Sequence, residues 1–471
     1  MRTIALHTQT PEKIGLVMNH SRLIEYTAAR PEAALLSGSI YKGKVQSIHK
    51  GMQAAFVDIG EQKHAFLKKE LIPWCSTSIE QSITEGREVI VQVTKEPAGN
   101  KGAQVTADPA VPGLYIIYQP FGNNVAISRK IEKNKGFKLK SEIEAVLKGC
   151  EGAILRTNAA GVEISQVVEE LERLRRNWNS LKIPKKPGII WEDDVILNQF
   201  IRTYGGSSDE ILVDDVEVSQ LIKCRFPSLA GRVQWRNNLE HDIGHTINEL
   251  QDKLVQRTVT TAKGVQLIID PTEAMIVIDV NSHRYAGRSL SNTEALKVNQ
   301  HAATEIARLI RLRNYSGMIL IDFISMRNPS HKEQLLSFLK KETANDPVVT
   351  KVHGITKLGI VELTRTRRLP SVNEQLLSSP GITYNIDTQS YRLERYLRNN
   401  SHVEAVLLRV SSELYDRKKQ LRLEPISSKI PQELFVKRDD YITGWQIELE
   451  GSLDIVKEAA ELRGHAVDNL F

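Results

Sequence analysis

Between Glu273 and Met326 the chain reads Glu-Ala-Met-Ile-Val-Ile-Asp279-Val-Asn281-Ser, then a long helical pattern, then Gly-Met-Ile-Leu-Ile-Asp322-Phe-Ile-Ser-Met. Two apolar, β-branched runs that each end in an aspartate and flank one amphipathic helix are the pattern of a βαβ unit. Its strands run parallel with a right-handed crossover, so both finish at the same edge of the sheet. As neighbours they bring Asp279 and Asp322 out about 5 Å apart. Strand alternation puts Asn281 on the face of Asp279. Two carboxylates and an amide oxygen at the carboxyl edge of a parallel pair make a hard-oxygen site suited to one magnesium ion, held by Asp279 and Asp322. The competing reading is that each aspartate only caps the helix or loop that follows it.

A chain of 471 residues is too long for one core, so three or more domains or subdomains are expected. With 41% hydrophobic and 25% charged residues the composition is that of a soluble globular protein, which excludes a fibrous or disordered chain. The first residues contain no apolar run long enough for a signal peptide, and none elsewhere nears the roughly 18 needed to span a bilayer. Cys75, Cys150 and Cys224 are scattered and form no Cys-x-x-Cys pair, as suits a reducing compartment. A cytoplasmic protein is expected. The net charge of +6 argues weakly for a polyanionic partner, but its distribution says more. Six basic residues lie between Arg129 and Lys140 against the single acid Glu132, and Lys357, Arg365, Arg367 and Arg368 follow the aspartate pair.

Residues 1–34 read as short strands too few to fold alone, which predicts that they pair with something later and that a domain is inserted after them. From Ser37 to about Asp108, closely spaced short strands with glycine punctuation predict a five-stranded barrel of the OB type. In Ala54-Ala55-Phe56-Val57-Asp58-Ile59, Phe56 falls on the Asp58 face, opposite Ala55, Val57 and Ile59; Phe66 shares its face with His64. Both aromatics then point away from the core, a costly placement unless bases stack on them beside lysines such as Lys101. A register shifted by one residue would return them to the core. Beyond Pro109 a mixed α/β segment is expected, with a hairpin-like stretch over Gly113–Arg129, a helix at Leu139–Leu147, a strand at Gly152–Arg156 and a helix around Val168–Asn179. Arg129, Arg156 and Thr157 stand at strand ends, as a phosphate clamp with a hydroxyl requires, although Arg129 taken alone reads as a surface arginine. His241 and His245 share a helical face, but without a third ligand they read as polar surface. Asn328-Pro329 reads as the N-cap and first turn of a helix ending near Lys341.

Several of these stretches resemble one family. Ile40-Tyr-Lys-Gly-Lys-Val, Ala54-Ala-Phe-Val-Asp-x-Gly and Gly99-Asn-Lys-Gly-Ala look like the S1-type RNA-binding domain of the ribonuclease E/G family. Ile127-Ser-Arg-Lys-Ile-Glu and Leu155-Arg-Thr resemble its 5′-end sensor. Thr272-Glu-Ala…Ile-Asp279-Val-Asn281-Ser and Ile-Asp322-Phe-Ile resemble its catalytic strands. The resemblance implies a multidomain α/β architecture. An S1-type OB barrel (35–108) and a 5′-sensor (109–205) are inserted into an RNase H-like subdomain (1–34 and 206–268), which lacks its own active site. A DNase I-like catalytic subdomain (269–385) and a small C-terminal domain (386–471) follow.

The resemblance also implies an endoribonuclease that hydrolyses single-stranded RNA with magnesium, leaving a 5′-phosphate and a 3′-hydroxyl, in rRNA and tRNA processing and mRNA decay. Asp279, Asn281 and Asp322 would be catalytic; Phe56, Phe66 and Lys101 would bind RNA; Gly113, Ile117, Arg129, Arg156 and Thr157 would receive a 5′-monophosphate. The chain departs from the family at Val349, where a further pocket arginine is expected and only Lys351 is close. It departs again at 369–379, where no cysteine pair stands to link two protomers through zinc. A structural zinc is therefore not expected, and a homodimer could form only by packing. The short C-terminal part is similar to the G-type branch. Two rival functions need less: an RNA-binding or ribosome-associated protein that uses the barrel alone, and a magnesium-dependent phosphohydrolase of small nucleotides.

Overall fold

The computed structural model describes residues 1–31, 37–97, 101–281, 291–344, 346–367, 369–378, 383–420, 430–463 and 466–467. Arg368, which the basic cluster included, lies outside them. The chain divides into two compact units: Met1–Thr8, Lys13–His20 and Thr27–Asn237 in one, and Gln9–Glu12, Ser21–Tyr26 and Asn238–Phe471 in the other.

In the first unit, strands Val233–Trp235, Glu210–Val213, Arg2–His7 and Lys13–Asn19 pair in that order. The N-terminal strand finds its parallel partner across a long insertion, with Thr3 opposite Glu210 and Leu6 opposite Val213. His7 Nδ1 and Asp214 Oδ2, 2.6 Å apart and both buried, fasten the end of this pairing. The insertion begins with a barrel. Strands Ile40–His49, Ala54–Asp58, Ala65–Lys68, Gln104–Thr106 and Glu88–Lys95 follow one another, and Ile40–Lys44 pairs with Glu88–Gln92 to close the ring. A sixth strand, Gly188–Trp191, joins from far along the chain. Val45, Ala55, Val57, Ile59, Ala65, Leu67, Val91 and Val105 fill the interior.

The next sheet corrects one expectation. Residues 113–129 do not form a hairpin: Ile116–Gln119 and Val125–Ile127 both pair with Gly152–Leu155, which lies between them. The insertion works because Gly152 has no side chain; a Cβ there would meet Gly122 Cα and the Asn124 carbonyl oxygen at 2.7 Å. Helices Lys133–Glu144 and Ile164–Asn179 flank this sheet. The basic run beginning at Arg129 mostly rides on the first helix as an exposed face, rather than preceding a helix at Leu139.

In the second unit a six-stranded sheet runs in the order Thr258–Thr260, Gln266–Pro271, Met275–Asn281, Gly317–Asp322, Val361–Arg365, Thr350–Ile355. Met275–Asn281 and Gly317–Asp322 are parallel and their neighbours antiparallel. Helix Asn292–Leu312, opened by a Ser291–Glu294 capping box, makes the crossover and buries Leu296, Ala303, Ile306, Ala307 and Ile310. Helix Pro329–Thr343 follows, with Asn328 accepting from the Ser330 amide as its N-cap. His241 and His245 do not share a helical face. Gly244 adopts a positive φ of 72° and ends helix Leu239–Ile243, and Thr246 then caps a new helix, Ile247–Val255. A smaller α/β layer closes the unit, its sheet ordered Trp445–Gly451, Ala405–Val410, Glu433–Arg438, Ala466–Val467. Among the described residues no helix is long and apolar enough to cross a membrane.

Candidate active site and nucleic-acid interface

The parallel ladder sets Asp279 directly opposite Asp322, the last pair of a five-residue register that begins at Met275 and Met318. This is a backbone result: the apolar partners Ile276, Ile278, Ile319 and Ile321 are buried beneath, and the alternate residues face outward. Asp322 is exposed and Asp279 half-buried. Asn281 Nδ2 donates to Asp279 Oδ2 at 2.8 Å, which fixes that carboxylate. The donor set is two carboxylates and an amide, all hard ligands on one edge. It matches a magnesium ion that keeps most of its own waters. Among the described residues no cluster of three or more His, Cys, Asp or Glu side chains could enclose a metal more completely.

Of the basic residues after this edge, Lys357 is exposed, while Arg365 and Arg367 are engaged with protein acceptors. Arg365 is buried, donates to Asp346 at 2.8 Å and bonds Asn314 and the Tyr315 carbonyl. Arg367 reaches Glu374 at 2.8 Å. Burying Arg365 is tolerable because its fork is spent on these acceptors.

On the barrel, strand pairing places Phe56 opposite Phe66, with ring centroids 5.6 Å apart and planes tilted by 56°. Both rings are half-buried and absent from the apolar interior, so they lie on the outward face. The Phe66 amide donates to the Ala103 carbonyl at 2.8 Å, which draws the segment after Lys101 alongside; Lys101 itself is exposed. Two adjoining aromatic faces on the outside of the barrel form a platform of the kind on which successive bases stack.

The five residues expected to receive a terminal phosphate divide. Val125–Ile127 and Gly152–Leu155 are parallel and end together. Ser128 Oγ, just past one strand, lies 3.0 Å from Thr157 Oγ1, just past the other, and Arg129 and Thr157 are exposed there. Arg156 turns the other way and donates to the Gly113 carbonyl. Gly113 is buried and its amide is spent on the Ile116 carbonyl. The amides that follow, of Leu114, Tyr115 and Ile116, all donate to the buried Glu170 carboxylate, so this loop carries its own anion. Ile117 and Arg156 instead line a cavity of about 260 Å³ together with Asp193, Gln199, Arg202 and Thr203. The sequence reading missed these last four. The signal available was an arginine, Arg202, inside the apolar helical stretch Val195–Tyr204, where a charge is costly without a partner.

Comparison with known proteins adds an independent line. The description "Ribonuclease E/G family" belongs to the model that matches residues 110–368, and "S1 RNA binding domain" to the one that matches residues 36–107. The chain is 31% identical over 396 residues to a protein named Ribonuclease G from Escherichia coli strain K12, covering 78% of this chain and 81% of the other. It is 32% identical over 400 residues to Ribonuclease G of Haemophilus influenzae, with the same coverage. Against Ribonuclease E of a Nostoc species it is 31% identical over 382 residues, 77% of this chain but 55% of the longer relative.

Proposed function

The chain belongs to the ribonuclease E/G family, and from that premise we propose that it is an endoribonuclease hydrolysing single-stranded RNA in RNA processing, with magnesium held by Asp279 and Asp322. The observation that carries this reading is the in-register pairing of Asp279 with Asp322, joined by the Asn281 amide on Asp279. When bound, magnesium supplies Lewis acidity toward a phosphate oxygen and a water molecule. The two carboxylates hold that charge at the strand ends. Asn281 keeps one of them in a single orientation, so that little reorganisation is left to the reacting state. Phe56 and Phe66 stack bases of the strand, and Lys101 contacts its backbone. A strand must be single to be held this way, because a duplex buries the base faces that the rings would use.

The finer architecture follows the same reading. Residues 1–34 with the part from 206 make an RNase H-like subdomain, 35–108 the S1-type barrel, 109–205 the sensor, 269–385 a DNase I-like catalytic subdomain and 386–471 the small C-terminal domain. Two stretches depart from these bounds: strands Thr258–Thr260 and Gln266–Pro271 pair in the sheet of Asp279 and so go with the catalytic subdomain, and Gly188–Trp191 pairs with the barrel. A preference for 5′-monophosphorylated RNA belongs to this proposal too, supported by the arginine-lined cavity at Ile117 and Arg156.

The test is a size-resolved digest of 3′-labelled single-stranded RNA with and without magnesium. Discrete internal cuts that need the metal support the reading. Intact but bound RNA would favour a binding protein, and release of phosphate from the ends alone would favour a phosphohydrolase.

A further inference from the structure

We propose that Arg202 is the second half of a two-guanidinium clamp which, with Arg156, receives the 5′-terminal phosphate of the RNA, and that Asp193 is the positioning residue that aims it. The inference rests on the end-sensing part of the proposed function and adds to it a ligand residue that the sequence motifs do not contain.

The cavity lies wholly within the first compact unit, and its charged lining is Arg156, Asp193 and Arg202. It is an open cleft of about 260 Å³, accessible from solvent to the end of a chain. Ile117 supplies one apolar wall.

Two like charges open onto this one space. Burial pushes the Arg156 guanidinium below its ordinary pKa, and the charge of Arg202 pushes in the same direction, opposed by Glu170. Such an arrangement is costly when empty of anions and is relieved when one arrives between the forks. Asp193 balances only part of it. Its carboxylate accepts from Arg202 at 2.6 Å, both partners being buried. Glu170 stands behind this lining and is itself matched by Arg173 at 3.1 Å and by three backbone amides. Within the lining, then, one carboxylate faces two arginines, a balance complementary to a phosphate monoester carrying close to two negative charges near neutral pH.

Donor capacity points the same way. A guanidinium carries five N–H donors. Among the described residues the hydrogen bonds of Arg202 run to Asp193 and those of Arg156 to the Gly113 carbonyl, so most donors of both forks are uncommitted. The backbone aims them. Arg202 follows the π-helical stretch Val195–Phe200, whose first amides are capped by Asp194 Oδ1 at 2.7–2.8 Å. A π-helical turn shifts every later side chain around the helix axis, a device that recurs at functional sites. Gln199 is not a competing ligand, because its amide is spent on the Ser37 and Asp193 carbonyls.

The experiment compares kcat/KM of the full chain on two single-stranded oligoribonucleotides of one sequence, bearing a 5′-monophosphate or a 5′-hydroxyl, for wild type, Arg202→Gln and Arg202→Lys. Wild type should prefer the phosphate. Arg202→Gln should lower that ratio by roughly tenfold, the worth of one charge-assisted contact. Arg202→Lys keeps the charge and the ion pair to Asp193 but loses the fork, so its ratio should fall severalfold. A purely structural role would be rescued by lysine with the ratio intact. If Arg202→Gln does not fold, the lysine variant decides. A wild-type preference that survives substitution overturns the clamp and leaves end sensing to Arg156. A wild-type ratio near one defeats end sensing itself, while magnesium-dependent cutting of both oligonucleotides would still stand.

Discussion

Asp279 and Asp322 are carried by neighbouring strands joined through a single helix, whereas Arg156 and the Asp193–Arg202 pair, nine residues apart across one helical stretch, come from two segments that meet around a cavity. The first arrangement is held by the backbone ladder, and its side chains need only point outward. The second is held by single side-chain contacts, an Arg202–Asp193 ion pair and an Arg156 bond to a carbonyl, set on a helical turn of unusual pitch. A ladder fixes the spacing of two carboxylates against most substitutions nearby. A cavity built from ion pairs can be retuned or lost by one change, which suits a preference more than a reaction.

The contrast can be broken most sharply at the strand edge. Asp322→Asn and Asp279→Asn should each lower kcat/KM on single-stranded RNA by about 10³-fold or more, with thermal stability nearly unchanged because Asp322 is exposed and Asp279 half-buried. Cleavage at the wild-type rate would remove the edge from the mechanism. Next in size, Phe56→Ala or Phe66→Ala should cost about 1–3 kcal/mol of RNA binding per lost stacking face, read as a raised KM with kcat largely kept. A fall in kcat alone would contradict a holding role.

Arg156→Gln should erase most of the preference for a 5′-monophosphate, about tenfold in the ratio of kcat/KM values for phosphorylated and hydroxylated substrates. An unchanged ratio would dissociate the cavity from end recognition. The smallest effect concerns the framework of the sensor. Burial raises the Glu151 carboxyl, but hydrogen bonds from Arg175, the Lys148 amide and Tyr118 outweigh it and hold the group below its ordinary value of 4.5. A depressed carboxyl stabilises the fold above its unfolded pKa and loses that contribution as pH falls through its folded value. Unfolding monitored below about pH 4.5 should therefore be less acid-sensitive in Glu151→Gln than in wild type.

Legibility in the sequence followed the same divide. The βαβ unit was readable because long β-branched runs and a helix with Leu296, Ala303, Ile306 and Ile310 on one stripe permit one pairing only. The outward placement of Phe56 and Phe66 was readable from alternation against Val57 and Leu67. The partner of Ile116–Gln119 was not, since strands of three or four residues carry too little pattern to choose between a hairpin and an inserted neighbour. The break between His241 and His245 was signalled by Gly244 and Thr246, but helical periodicity ran across both. Arg202 stayed hidden because its role depends on Asp193 and on segments more than forty residues away, distances over which local pattern says nothing.

The parallel pairing of Arg2–His7 with Glu210–Val213 has a consequence in time. Strands made first must wait for a partner made some two hundred residues later, and at 5–20 residues per second that is roughly 10–40 s on the growing chain. Throughout this interval the apolar row Ile4, Ala5 and Leu6 has only the hairpin strand Lys13–Asn19 to cover one edge. The barrel, whose strands are close in sequence apart from Gly188–Trp191, can close meanwhile. Newborn chains are then most vulnerable to edge-to-edge association at their first strand, and destabilising Lys13–Asn19 should reduce the yield of soluble protein more than it reduces the stability of molecules already folded.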